Sequence, residues 1–231
     1  TQNKQNLGAN AILSVSQATL KAAAKSSVIP TFLYLRQFIT NNVAKKIPTP
    51  LFNLIEGGKH GGKTLNFQEL LLIPASSKSY QEALSLGVNV YRTLKGILYE
   101  KGESTLAADE GGFSPSLQTN QAGLLLLKES VERSGSSFSL DAFLGLDVAA
   151  NSLLDEKTYK LIDRAAPYNT NDLVDFYQSL LTEFAIIYIE DPFAEDDWEG
   201  WRKLYSSIGD KTLIVVYDLT ATNPYILQLA L

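Results

Sequence analysis

Apolar runs in this sequence keep ending on a carboxylate. Phe143-Leu144-Gly145-Leu146 is closed by Asp147, Ile186-Ile187-Tyr188-Ile189 by Glu190, and Leu213-Ile214-Val215-Val216-Tyr217 by Asp218. Glu110 follows Leu106-Ala107-Ala108-Asp109 in the same way. Strands covered on both faces read as near-continuous apolar runs. Acids at the carboxyl ends of such strands point into the mouth of a parallel α/β barrel, where that architecture builds its sites. Gathered carboxylates repel one another unless a cation joins them, so the pattern predicts a hard metal ion held by oxygen. Gln68-Glu69 interrupts another apolar strand, and polar groups at core positions are costly unless a partner or a site uses them. A glycine-rich stretch, residues 57–62, surrounds the only histidine, His60. Glycines there permit close backbone approach to a ligand. Two plainer readings stand beside these: ion pairs at a barrel rim for the acids, and a solvated loop residue for His60.

The elements that must position these side chains follow from periodicity. Apolar residues at helical spacing predict helices over about 7–26, 31–38, 80–98, 121–133, 172–181 and 198–205. Ser79 with Glu82 makes a capping box, and Asn120 is the expected cap of the fourth helix. Candidate strands are 51–55, 67–73, 106–109, 143–148, 185–190 and 212–218. The first two have no helix between them and are expected to pair as a hairpin. Later strands alternate with helices, which implies parallel pairing with right-handed crossovers. Glu195-Asp196-Asp197 is expected to cap and solvate the helix after it, and Trp198 and Trp201 to pack.

Composition narrows the function. The 231 residues carry a net charge of −5, which argues against a nucleic-acid surface but not against a small anionic substrate beside a metal. There is no cysteine, as expected of a cytoplasmic protein, and no apolar run long enough to span a membrane. The sequence starts at Thr1, contains no methionine, and ends on a helix-like stretch at 226–231. A fragment lacking both ends is the expectation, in preference to a short protein that has merely been trimmed.

The motifs, taken in order, resemble the enolase family. The stretch from Leu7 through Ser16 is similar to the helix that ends the enolase amino-terminal domain. Pro50-Leu51-Phe52-Asn53, Gly57-Gly58-Lys59-His60, Phe67-Gln68-Glu69, Asp109-Glu110-Gly111-Gly112-Phe113-Ser114-Pro115, Gly145-Leu146-Asp147 and Ile189-Glu190-Asp191-Pro192-Phe193-Ala194-Glu195-Asp196-Asp197-Trp198 resemble successive signatures of that family. The resemblance implies a fold: residues 1–46 as the last helices of a small α+β domain, and 47–231 as six of the eight strands of a modified α/β barrel whose first two strands are antiparallel. It implies a magnesium-dependent lyase that dehydrates 2-phospho-D-glycerate, a phosphorylated hydroxy acid, to phosphoenolpyruvate in glycolysis, and a homodimer for the full-length protein. Asp147 and Glu190 match the metal ligands, Glu110 the general acid, and Glu69 its support. His60 matches the catalytic loop histidine that closes over the substrate and its phosphate, and Gln68 a substrate-side residue, with Glu69 and Glu190 also lining the substrate.

The resemblance fails at the next strand. The family ends it in two aspartates, the first being the third metal ligand, and here that position is Tyr217 with Asp218 after it. A phenol is a poor ligand for a hard cation. A weakened metal site, a slip that brings Asp218 in, and a sequence error are the competing readings. The positions of the family's base lysine and second histidine are not among these 231 residues, so the chain as given is expected to be inactive. The alternative is an enolase-like protein kept for binding or scaffolding.

Overall fold

The structure is a computed structural model. It describes residues 6–39, 47–59, 61–62, 65–221 and 223–230. The chain divides into two compact units, residues 1–47 and 48–231. The first contains helices α1 (Ala9–Ser26) and α2 (Thr31–Arg36). Of α1 only Ala24 is buried, and Leu13 and Val15 face outward. The second unit runs β1 (Phe52–Glu56), β2 (Glu69–Pro74), α3 (Tyr80–Glu100), α4 (Asn120–Arg133), β3 (Ala142–Asp147), β4 (Leu154–Asp155), β5 (Thr158–Tyr159), α5 (Thr170–Phe184), β6 (Ile186–Glu190), α6 (Trp198–Ile208), β7 (Leu213–Val215) and α7 (Pro224–Ala230).

Five strands form one sheet in the order β1-β2-β3-β6-β7. The β1–β2 and β2–β3 pairs are antiparallel, and β3–β6 and β6–β7 are parallel. Leu70, Leu72, Leu144, Leu146 and Ile189 are all fully buried, as an apolar run with cover on both faces requires. Helix α3 supplies part of that cover through Ala83, Gly87, Val90, Leu94 and Ile97, spaced three and four apart. It starts on the expected capping box, with Ser79 and Glu82 bonded reciprocally. Gly87 is needed because a Cβ there would lie 2.6 Å from the Phe52 ring.

Three expectations about elements are corrected. Residues 106–109 form no strand: Ala107 makes a single bridge to Phe113, and Leu106 is 79% exposed. A segment with its apolar side chain in water and its amides turned into a loop gains nothing from joining the sheet. The sheet therefore has five strands among the described residues, not six. Asn120 is not the α4 cap; Thr119 is, and Asn120 is wholly buried one position later. Its Oδ1 accepts the amides of Asn66 and Phe67, which pins the chain just before Gln68-Glu69. Finally, β7 stops at Val215 rather than 218, because the Asp191 carboxylate takes the amides of Tyr217 (3.0 Å) and Asp218 (2.8 Å) out of the ladder. The β4–β5 hairpin had no sequence signal, since each strand is two residues long.

An aromatic cluster supports the loop after β6. The Phe193 ring meets those of Tyr159, Tyr177 and Trp201. Asp197 caps α6 through Gly200 and also accepts the hydroxyls of Tyr159 and Thr170. Trp201 is nearly buried and donates its indole N–H to the Ala194 carbonyl.

Candidate active site

Strand register places four acids in one transverse row. Glu56 is opposite Glu69, Glu69 opposite Asp147, and Asp147 opposite Glu190, across β1, β2, β3 and β6. In-register neighbours share a face of the sheet, so these carboxylates are presented together. Asp147 is 8% exposed, and Glu69 and Glu190 are half-buried. Gln68 donates its Nε2 to Asp147 Oδ2 at 3.2 Å, and the Ala149 amide donates to Asp147 Oδ1 at 3.0 Å. The Tyr188 hydroxyl donates to Glu190 Oε2. Asp191 and Ala149, which open the loops after β6 and β3, both have left-handed backbone, with φ of 42° and 46°. Such strain in non-glycine residues is held in place only by surrounding contacts. Here the Ala150 amide donates to the Asp191 carbonyl at 3.0 Å, tying the two loops together.

Glu110 reaches this row from the loop before α4. It hydrogen-bonds Glu69, and Asn53 donates its Nδ2 to Glu110 Oε2 at 3.3 Å. Two carboxyl groups can hydrogen-bond to each other only when one keeps a proton. Burial, then the Glu110 contact, then the charges of Asp147, Glu110 and Glu190 push Glu69 up to about 8. Burial and the charges of Glu190, Asp191 and Asp218 push Asp147 up to about 7, against the Ala149 amide. Glu190 is also raised, by burial and the charges of Asp191 and Asp218, against the Tyr188 bond. Every charge named here is negative, which is the physical case for a cation at this rim.

A hard divalent ion needs several oxygen donors that converge. Asp147 and Glu190 are adjacent donors of the right type. Among the described residues, however, no three Asp, Glu or His side chains gather closely enough to hold a metal. Tyr217 is 60% exposed, and Asp218, whose charge is felt by Asp147 and Glu190, does not complete the set. His60 lies outside the described residues.

The same fold and motif order are matched at family level. Residues 44–231 match the family described as enolase, C-terminal TIM barrel domain. The chain belongs to the enolase family. Its five-stranded mixed sheet accords with that assignment, without a closed barrel among the described residues. The enolase motifs locate Glu69, Glu110, Asp147 and Glu190; sequence reasoning missed Glu56, whose signal was a carboxylate directly ahead of the glycine-rich stretch. It also gave Asp191 no part, although this acid is 3% exposed and organises the end of β7. A groove of about 590 Å³ is lined by Phe52, Tyr91, Arg92 and Lys95, and of these acids only by Glu110. The acid row is the stronger candidate, because it alone combines strand register with perturbed carboxyls. No helix among the described residues is long and apolar enough to cross a membrane.

The raised acids set a pH dependence. Glu69 and Asp147 bind protons more tightly folded than unfolded, so stability is greatest below the unfolded values and falls as pH rises through the folded ones. In chelator, the melting temperature is expected to fall from about pH 5 to about pH 8. Glu82, Glu100, Asp141 and Asp172 are shifted down by their partners, so their contribution is lost only at more acid pH and leaves this window clear. A melting temperature that climbs toward pH 8 would contradict the acid row.

Proposed function

We propose that this enolase-family chain belongs to a lyase that dehydrates 2-phospho-D-glycerate to phosphoenolpyruvate. The observation that carries the reading is the Glu69–Glu110 contact, in which the Glu69 carboxyl is pushed up beside Asp147 and Glu190. Loss of a β-hydroxyl needs an acid that is still protonated near neutral pH, and a carboxyl raised to about 8 meets that need. The proton held at Glu69 reaches the departing hydroxyl by way of Glu110, and Glu69, on a rigid strand, holds the pair in place. Gln68 steadies Asp147 and borders the substrate. Removal of the proton alpha to the carboxylate adds negative charge to the substrate, and a divalent ion such as magnesium supplies compensating charge when bound. Asp147 and Glu190 are the residues that would hold it, in a ligand set that is incomplete among the described residues. Residues 1–46 are assigned to the closing helices of the family's amino-terminal domain.

A second reading is favoured by Tyr217: an enolase-like protein retained for binding without catalysis. Both are tested by assaying the purified 231-residue chain for phosphoenolpyruvate formation from 2-phosphoglycerate with magnesium. The chain alone is expected to show no turnover: no three potential ligands gather to hold a metal among the described residues, and the family's base lysine is not among its 231 residues. If Tyr217→Asp tightens magnesium binding but never 2-phosphoglycerate binding, the lyase reading gives way to the binding protein. Magnesium-dependent turnover by the unaltered chain would refute the inactivity expected for it.

A further inference from the structure

Glu56 ends β1 and is wholly buried, yet the acid chemistry above does not use it. A buried carboxylate needs strong partners. Its partners are two backbone amides of one turn: Oε2 accepts from Glu110 N at 3.1 Å and Oε1 from Gly112 N at 2.6 Å. One side chain thus satisfies two backbone amides of the same turn and holds it at two points. The turn is shaped for it. Gly111 between the two donors has φ 101°, and a Cβ on Gly112 would lie 3.0 Å from Glu56 Oε1. The Glu56 main chain joins in, donating its amide to the Phe113 carbonyl at 2.8 Å. The same residue stands in register with Glu69. Glu56 therefore touches both the strand that offers Glu69 and the turn that offers Glu110.

We infer that Glu56 is a positioning residue for the acid pair: its buried carboxylate fixes the 110–112 turn through two backbone amides and so sets Glu110 against Glu69. The inference rests on the reading of Glu110 as the proton donor but is tested without turnover, so either can fail alone. Asn53, whose Nδ2 sits on the Glu110 carboxylate, is the reporter. A carboxylate that served stability only would lower the melting temperature without moving Glu110 against Asn53.

The experiment is NMR on the isotopically labelled 231-residue chain. In the unaltered chain, a scalar coupling across the hydrogen bond is expected from Gly112 nitrogen to the Glu56 carboxyl carbon. In Glu56→Gln one side-chain oxygen remains and an NH2 opposes the other amide. Amide exchange at Glu110 or Gly112 is expected to quicken by about ten- to a hundredfold. The Asn53 side-chain amide signals should move as they do in Glu110→Gln. Glu56→Asp keeps the charge but draws it back from both amides, and should shift Asn53 likewise. The proposal is overturned if either folded variant leaves the Asn53 signals in place. It is equally overturned if the coupling is absent from the unaltered chain, a measurement that needs no variant to fold.

Discussion

Replacing Tyr217 by aspartate is expected to tighten magnesium binding by at least about tenfold, measured by calorimetric titration at neutral pH, since affinity for hard cations follows the count of carboxylate ligands. The expectation comes from register. Val215, the last residue of β7, is in register with Glu190, so position 217 follows two residues beyond the strand end that borders this acid. Asp191 fixes the backbone there by accepting the amides of both residues, and the charge of Asp218 already reaches Asp147 and Glu190. The control is Asp218→Asn. If that change abolishes binding while Tyr217→Asp leaves it unchanged, Asp218 is the third ligand and the strand end is rewired. The gained carboxylate should also deepen the fall in stability toward alkaline pH in chelator, because it adds another negative charge to a row that lacks a cation.

Truncating Phe193 to alanine should lower stability by about 3–5 kcal/mol, the range for emptying a well-packed aromatic site. Phe193 is 1% exposed, and its ring touches three other aromatic side chains. Gly200 approaches so closely that a Cβ there would sit 2.5 Å from the ring, so α6 rests directly on this side chain. Denaturant melts would show the loss, and amide exchange should quicken in the loop behind Glu190 before it does in β2. A loss below about 1 kcal/mol would mean that the cluster repacks without Phe193.

Legibility in the sequence differed from element to element for physical reasons. β2, β3 and β6 were readable because strands covered on both faces must be apolar throughout. Residues 106–109 imitated a short one, yet four residues cannot show whether an apolar run has a partner, and this one has only a single bridge. Asn120 satisfied the preference for a cap, but a neighbouring threonine could serve equally, and only the distance to the 66–67 amides showed that its amide side chain was needed elsewhere. Glu56 was invisible because a carboxylate next to glycines reads as a solvated loop; its amide partners lie 54 and 56 residues away.

The sequence by itself determined the family and the order in which Glu69, Glu110, Asp147, Glu190 and Tyr217 follow one another along its motifs, because each is a matter of residue type and local order. Tertiary structure alone decided that the acids form one row, that burial and the Glu110 contact push the Glu69 carboxyl up, and that Glu56 and Asp191 hold the loops around them. These depend on strand register and on burial, which arise from contacts between distant parts of the chain. A proton stays on a carboxyl near neutral pH only where neighbouring anions and lost water oppose its ionisation, and neither is written in the order of residues.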